Sequence, residues 1–240
     1  MGLLGIPDPL FAWLDGLMQA GLPPVARLAV WGVLGSLTSM GLYWLLSPQA
    51  RIARGKLEVA QAQKDLDAYD GDLAGAWPRI GRLLGVALRQ VGRVGWPAVV
   101  ASLPLLALLV WLSTAYGYTY PTSGQAPAIH VQPPRFSAQW KGSGQRPPRL
   151  VVADPQGRVV ADVVLSAPVP VLHKRQWWNA FIGNPAGYLP SGAEVERVDV
   201  DLPRKEVLTV GPAWMHGWEF SFFLTLVVVS IALKLGLRIQ

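Results

Sequence analysis

Apolar residues dominate three stretches of this chain, Val25 to Leu46, Trp96 to Tyr116 and Gly217 to Leu235. Each is about 20 residues long, and at ~1.5 Å rise per residue that length matches a hydrocarbon core of ~30 Å. The pattern predicts a membrane protein with three transmembrane α-helices, over 25–47, 95–117 and, with a short tail, 214–240. The intervening segments differ in character. Residues 48–94 have the periodicity of a helical hairpin, whereas 118–213 are strand-like and predict a small all-β domain, with a sandwich the expected form.

Ahead of the first span, in residues 1–24, Leu10, Trp13, Leu14 and Leu17 recur at helical spacing. They predict a short amphipathic helix lying on the outer interface, which Leu22-Pro23-Pro24 ends. Within 48–94, Ile52, Val59 and Leu66 are seven residues apart and Gly55, Ala62 and Tyr69 follow three after each. This heptad pattern predicts a short coiled-coil arm. Asp70-Gly71-Asp72 supplies a turn, and the return helix from Trp77 to Val94 gathers Arg79, Arg82, Arg89 and Arg93 on one face. That face reads as a basic surface bound to the inner leaflet. In the third segment, Leu150 to Ala153, the turn Asp154-Pro-Gln-Gly157 and Val159 to Leu165 predict a hairpin, and Val195 to Val200 alternates as a strand does.

Charge then sets the orientation. Short cytoplasmic loops are enriched in Lys and Arg, and the hairpin carries Arg51, Arg54, Lys56, Lys64 and the four arginines above, with Lys234 and Arg238 in the tail. Residues 1–24 have neither Lys nor Arg. The N-terminus is therefore expected outside, the C-terminus in the cytoplasm, and the β domain extracytoplasmic, in a bacterial-type inner (plasma) membrane. Long domains translocate largely regardless of charge, so the basicity of the third segment does not disturb this assignment. The net charge of +6 has a membrane-surface explanation, and no nucleic-acid partner is expected. No basic n-region precedes the first apolar residues, so a cleaved signal peptide is not expected. Cysteine is absent, which removes disulfide and thiol chemistry.

Catalytic signatures do not appear. There is no nucleophile elbow, phosphate loop, paired-histidine zinc motif or dinucleotide fingerprint. His130, His173 and His216 stand apart from one another, and Asp65, Asp67, Asp70 and Asp72 lack the ligand order of a calcium loop. No enzyme activity, cofactor or metal is expected. The polar residues inside the spans carry more information. Gly32, Ser36, Ser39 and Tyr43 share a face of the first span, and Ser221, Thr225 and Ser230 punctuate the third. Ser36, Ser39, Tyr43, Ser221 and Thr225 are candidates for the wall of a hydrophilic groove; the alternative is small-residue helix packing. Arg27 and Glu219 fall at similar depth near the outer boundary, either as an intramembrane ion pair or as two separately hydrated side chains.

Three stretches resemble the Oxa superfamily of YidC-like membrane-protein insertases, especially its short three-helix archaeal and endoplasmic-reticulum members. A polar-containing span runs directly into a charged helix, Ser47-Pro-Gln-Ala-Arg-Ile-Ala-Arg-Gly-Lys through to Leu66. Trp96-Pro-Ala-Val-Val-Ala-Ser-Leu-Pro through to Ser113 is similar to the family's proline-containing second span. Trp214-Met-His-Gly-Trp218 leads into a final span that ends Leu233-Lys-Leu-Gly-Leu237. The resemblance implies a half-open polar groove that eases client transmembrane segments into the lipid bilayer, with the hairpin receiving them. The chain departs from the family in three ways, the first being that Arg27 lies near the outer end and not at groove depth, so a groove arginine's role is not carried over to it. Met1, Met18, Met40 and Met215 are its only methionines, none in the hairpin, and the β domain has no counterpart in the shortest members. The competing expectation is a non-catalytic assembly or scaffold subunit that binds another membrane-complex subunit through the β domain. Its oligomeric state is not legible.

Overall fold

A computed structural model describes residues 2–122, 125–142 and 147–237. Arg238 of the expected tail lies outside these residues. Among the described residues are five α-helices, α1 (Asp8–Gln19), α2 (Pro24–Leu46), α3 (Gln49–Asp67), α4 (Leu73–Tyr116) and α5 (Trp218–Leu237). Six strands lie between α4 and α5: β1 (Ile129–Gln132), β2 (Ser137–Lys141), β3 (Arg149–Ala153), β4 (Val159–Val164), β5 (Val171–His173) and β6 (Arg197–Val200). Three of the helices, α2, α4 and α5, are long and apolar enough to cross a membrane. The chain divides into two compact units, Met1–Ala29 with Leu106–Phe222, and Val30–Leu105 with Phe223–Gln240.

In the first unit the strands form two three-stranded antiparallel sheets, ordered β1-β6-β5 and β2-β3-β4. One core joins them: Phe136, Leu150, Val152 and Ala161 from the second sheet pack with Leu172, Val198 and Val200 from the first. The expected hairpin is β3–β4. Its turn closes because Asp154 Oδ1 accepts the backbone N–H groups of Gln156 and Arg158, and Gly157 takes the positive φ of 80° that the reversal needs.

The second unit is helical. α3 and the first half of α4 form an antiparallel hairpin, in which Gln90 Nε2 donates to the carbonyl of Ile52 at 3.1 Å and Arg93 meets Glu58 at 3.4 Å. The heptad seam is the face that packs: Ile52, Gly55 and Ala62 are buried, and Val59, Leu66 and Tyr69 are half-buried. A Cβ at Gly55 would meet the flexible ends of the Gln90 and Arg93 side chains, which would have to swing aside.

The return helix and the second span, expected as 77–94 and 95–117, are one helix of 44 residues. Its length is about 66 Å, more than twice a ~30 Å hydrocarbon core. Gly95-Trp96-Pro97 contains no turn signal. Proline inside a helix removes one backbone hydrogen bond without supplying a reversal, so Pro97 and Pro104 are accommodated within α4.

Candidate functional site

Besides its exposed arginines, α4 turns a row of large apolar side chains outward. By helical spacing Trp77, Leu84, Leu88 and Val91 share one face of its first half, and their exposures are 73%, 58%, 62% and 67%. Val99 and Leu103 carry the exposed apolar track onward through the part of the helix that packs on α2. The whole of α4 contains no acidic residue. The helix thus presents a continuous apolar track that begins in the hairpin and continues into a segment of membrane-spanning composition.

The arginines lie on a different face from this track. Arg82 pairs with Asp65 of α3 at 3.6 Å, Arg93 with Glu58, and the Arg79 guanidinium sits 3.9 Å from the centre of the Tyr69 ring. Arg89 donates to the carbonyl of Gly85 in its own helix. The basic face expected at a membrane surface is therefore partly engaged in holding the hairpin, and the unpartnered face is the apolar one. These pairs are exposed, and each contributes about 0–1 kcal/mol.

The span hydroxyls bond across helix contacts. Ser36 is 1% exposed, and its Oγ donates to the carbonyl of Leu226 in α5 at 2.9 Å. Ser230 donates to Ser36 Oγ at 3.2 Å, and Ser39 donates to the carbonyl of Ala101 in α4 at 3.0 Å. Gly32 and Gly35 are buried beside them, so the small side chains allow close helix approach and the hydroxyls bond across it. Ser36 and Ser39 therefore bond α2 to its neighbours, Ser36 from a buried position and Ser39 from a half-buried one. Tyr43 is half-buried, Ser221 is buried and Thr225 is half-buried on the packed side of α5.

The charged residues also pair differently from expectation. Arg27 Nη1 lies 2.6 Å from Asp15 Oδ2, with side-chain exposures of 8% and 14%. Glu219 is exposed and lines a small hollow with Arg204 and Lys205. An Arg27–Glu219 pair does not form, because α1 brings a nearer carboxylate to the start of α2. Tyr116 at the end of α4 donates its hydroxyl to Asp15 Oδ1 at 2.6 Å. Lys205 Nζ stands 4.5 Å from the centre of the Tyr116 ring and donates to the carbonyl of Ala115 at 3.1 Å. Burial first, and then the Arg27 charge, hold the Lys205 ammonium below lysine's usual pKa, against the opposing pull of Asp15. Arg27 Nε reaches no acceptor among the described residues.

No family model matches the chain, nor does any curated protein or solved structure. The reading of function rests on geometry.

Asp15, Tyr116 and Lys205 are the residues that sequence reasoning missed. One signal was available for Asp15: it falls with Phe11 and Met18 on the face of α1 opposite Leu10, Trp13 and Leu17. Tyr116 and Lys205 carry no such signal, since their partners come from distant parts of the chain. Among the described residues no group of His, Cys, Asp or Glu is arranged to hold a metal.

Proposed function

We propose that this protein is a membrane-bound, insertase-like factor whose α4 track captures an apolar client helix and passes it along the same helix into the bilayer. The observation that carries the reading is the exposed track from Trp77 through Leu84, Leu88 and Val91 to Val99 and Leu103. The resemblance to the YidC-like Oxa superfamily supports it, and the arginine-rich hairpin is then cytoplasmic. The track also supplies what the methionine-poor hairpin lacks, an adaptable apolar surface for capture.

The energetics suit transient capture. Covering four large apolar side chains in water gives roughly 4–8 kcal/mol. Ordering the client and losing its rigid-body freedom offset much of that, so affinity is modest. Within hydrocarbon the driving force disappears, because lipid tails are as apolar as the track. A client that reaches the membrane-level end of α4 is therefore released into lipid. No catalytic side chain is needed for this transfer.

The test is insertion into proteoliposomes of a client with one apolar helix and a short translocated tail. Protein-containing vesicles should insert more client than empty ones, and Leu84→Ser with Leu88→Ser should remove most of the gain while leaving thermal stability unchanged. Equal insertion by empty vesicles would instead support the second reading, a scaffold subunit, which the internally bonded Ser36 and Ser39 hydroxyls favour.

A further inference from the structure

Two separate elements of the first unit are amphipathic in the reverse of the usual sense. In α1 the exposed large apolar residues are Leu10, Trp13 and Leu17, at 54%, 60% and 58%, while the acids are turned inward. Asp15 meets Arg27 and Tyr116, and burial raises the pKa of Asp8 above the usual carboxylate value. Phe11 packs at a tilt against Trp111 from the same inward face, with ring centres 5.7 Å apart.

The 3-10 turn Trp177–Ala180 and the residues after it repeat this arrangement. Its polar member, Asn179, is 1% exposed and spends its side chain on local backbone, accepting from the N–H of Gln176 and donating to the carbonyl of Ile182. Trp177 is 80% exposed and Phe181 is 52% exposed. A soluble domain places these residue types the other way round.

The two elements are joined. The N–H of Leu4, in the turn before α1, donates to the carbonyl of Phe181 at 3.0 Å, and Gly2 packs so closely on Phe181 and Gly183 that a Cβ would not fit. An apolar hollow of about 470 Å³ adjoins the loop, lined by Trp178 and Ile182 on one side and by Val110 and Thr114 of α4 on the other. The wall contributed by α4 comes from the last two turns of a helix apolar enough to cross a membrane.

We infer that α1 and the Trp177–Ile182 loop form one composite footprint that dips into the lipid leaflet on the β-domain side, holding that domain against the membrane. Lipid is the occupant that these surfaces fit. Indole rings favour the boundary between acyl chains and headgroups, and Lys174 and Arg175 immediately precede the loop, where phosphate groups would lie. The carboxylates, which lipid phosphate would repel, are the groups turned away.

The natural absence of cysteine makes the test direct. Trp177→Cys, Leu10→Cys and, on the exposed turn between β3 and β4, Gln156→Cys are each labelled with a small environment-sensitive fluorophore. The full-length protein is reconstituted alone into phosphatidylcholine–phosphatidylglycerol vesicles, with and without lipids bearing a nitroxide near the headgroup end of the acyl chain. The label at positions 177 and 10 should lose most of its fluorescence to the nitroxide lipid, and that at 156 very little. Quenching at 10 without quenching at 177 would overturn the composite footprint, as would quenching at neither. Equal quenching at all three would also overturn it, because a footprint requires an aqueous far side.

Discussion

Asp15 Oδ2 lies 2.6 Å from Nη1 of Arg27, so a carboxylate in α1 neutralises a guanidinium one turn into α2. The second oxygen of the same carboxylate accepts the Tyr116 hydroxyl, which ties both to the end of α4. Two consecutive helices and the distant end of α4 thus meet at one buried charge pair. Removing one partner strands the other where solvation is poor. Asp15→Ala should cost about 3–5 kcal/mol, read as a lowered midpoint of unfolding in mixed micelles. Asp15→Leu combined with Arg27→Met should lose far less than either single change, because the cost lies in the orphaned charge.

The α2–α5 seam makes a different prediction. Ser36→Ala removes two neutral hydrogen bonds, one donated to the carbonyl of Leu226 and one accepted from Ser230, and should cost about 1–2 kcal/mol. Ser36→Leu puts three extra carbons into a site that is 1% exposed, and overpacking of that kind costs roughly 1–3 kcal/mol or separates the helices. Client insertion by Ser36→Ala should match the wild type at temperatures where both are folded. Selective loss of insertion without loss of stability would assign Ser36 to a groove.

The contrast between the hairpin and these seams explains what was legible in the sequence. The heptad positions from Ile52 to Leu66 are buried or half-buried in α3, because a local repeat fixes which face of a helix is apolar before any partner is known. The β3–β4 hairpin was legible for the same reason, since Asp154 and Gly157 encode their turn locally. Ser36 and Arg27 were visible as anomalies in an apolar span. Their partners were not, because a hydroxyl or guanidinium does not specify which distant carbonyl or carboxylate will reach it. Similar depth suggested Glu219, but the short helix ahead of the span supplied Asp15 instead. The exposed track on α4 was hidden by a boundary: read as two helices, its apolar residues divide between an amphipathic segment and a span.

Lys205 gives a dependence on pH. Its pKa is lowered in the folded protein, so between that value and lysine's reference of about 10.4 the unfolded chain binds more protons. Its contribution to stability therefore rises with pH across that window and is smallest below the folded value. Lys205→Met should be relatively more stable at neutral pH, with a flatter stability curve toward alkaline pH. Parallel curves for the two proteins would show that the ammonium loses nothing on folding.

The α4 track carries the account, and its most direct measurement is site-specific photocrosslinking in proteoliposomes supplied with newly synthesised clients. A photoreactive side chain at Leu88, on the track, should capture several clients with unrelated apolar helices, and one at Arg89, on the adjoining face, should capture few. Equal yields at the two positions, or no client at Leu88 while insertion proceeds, would contradict the proposal.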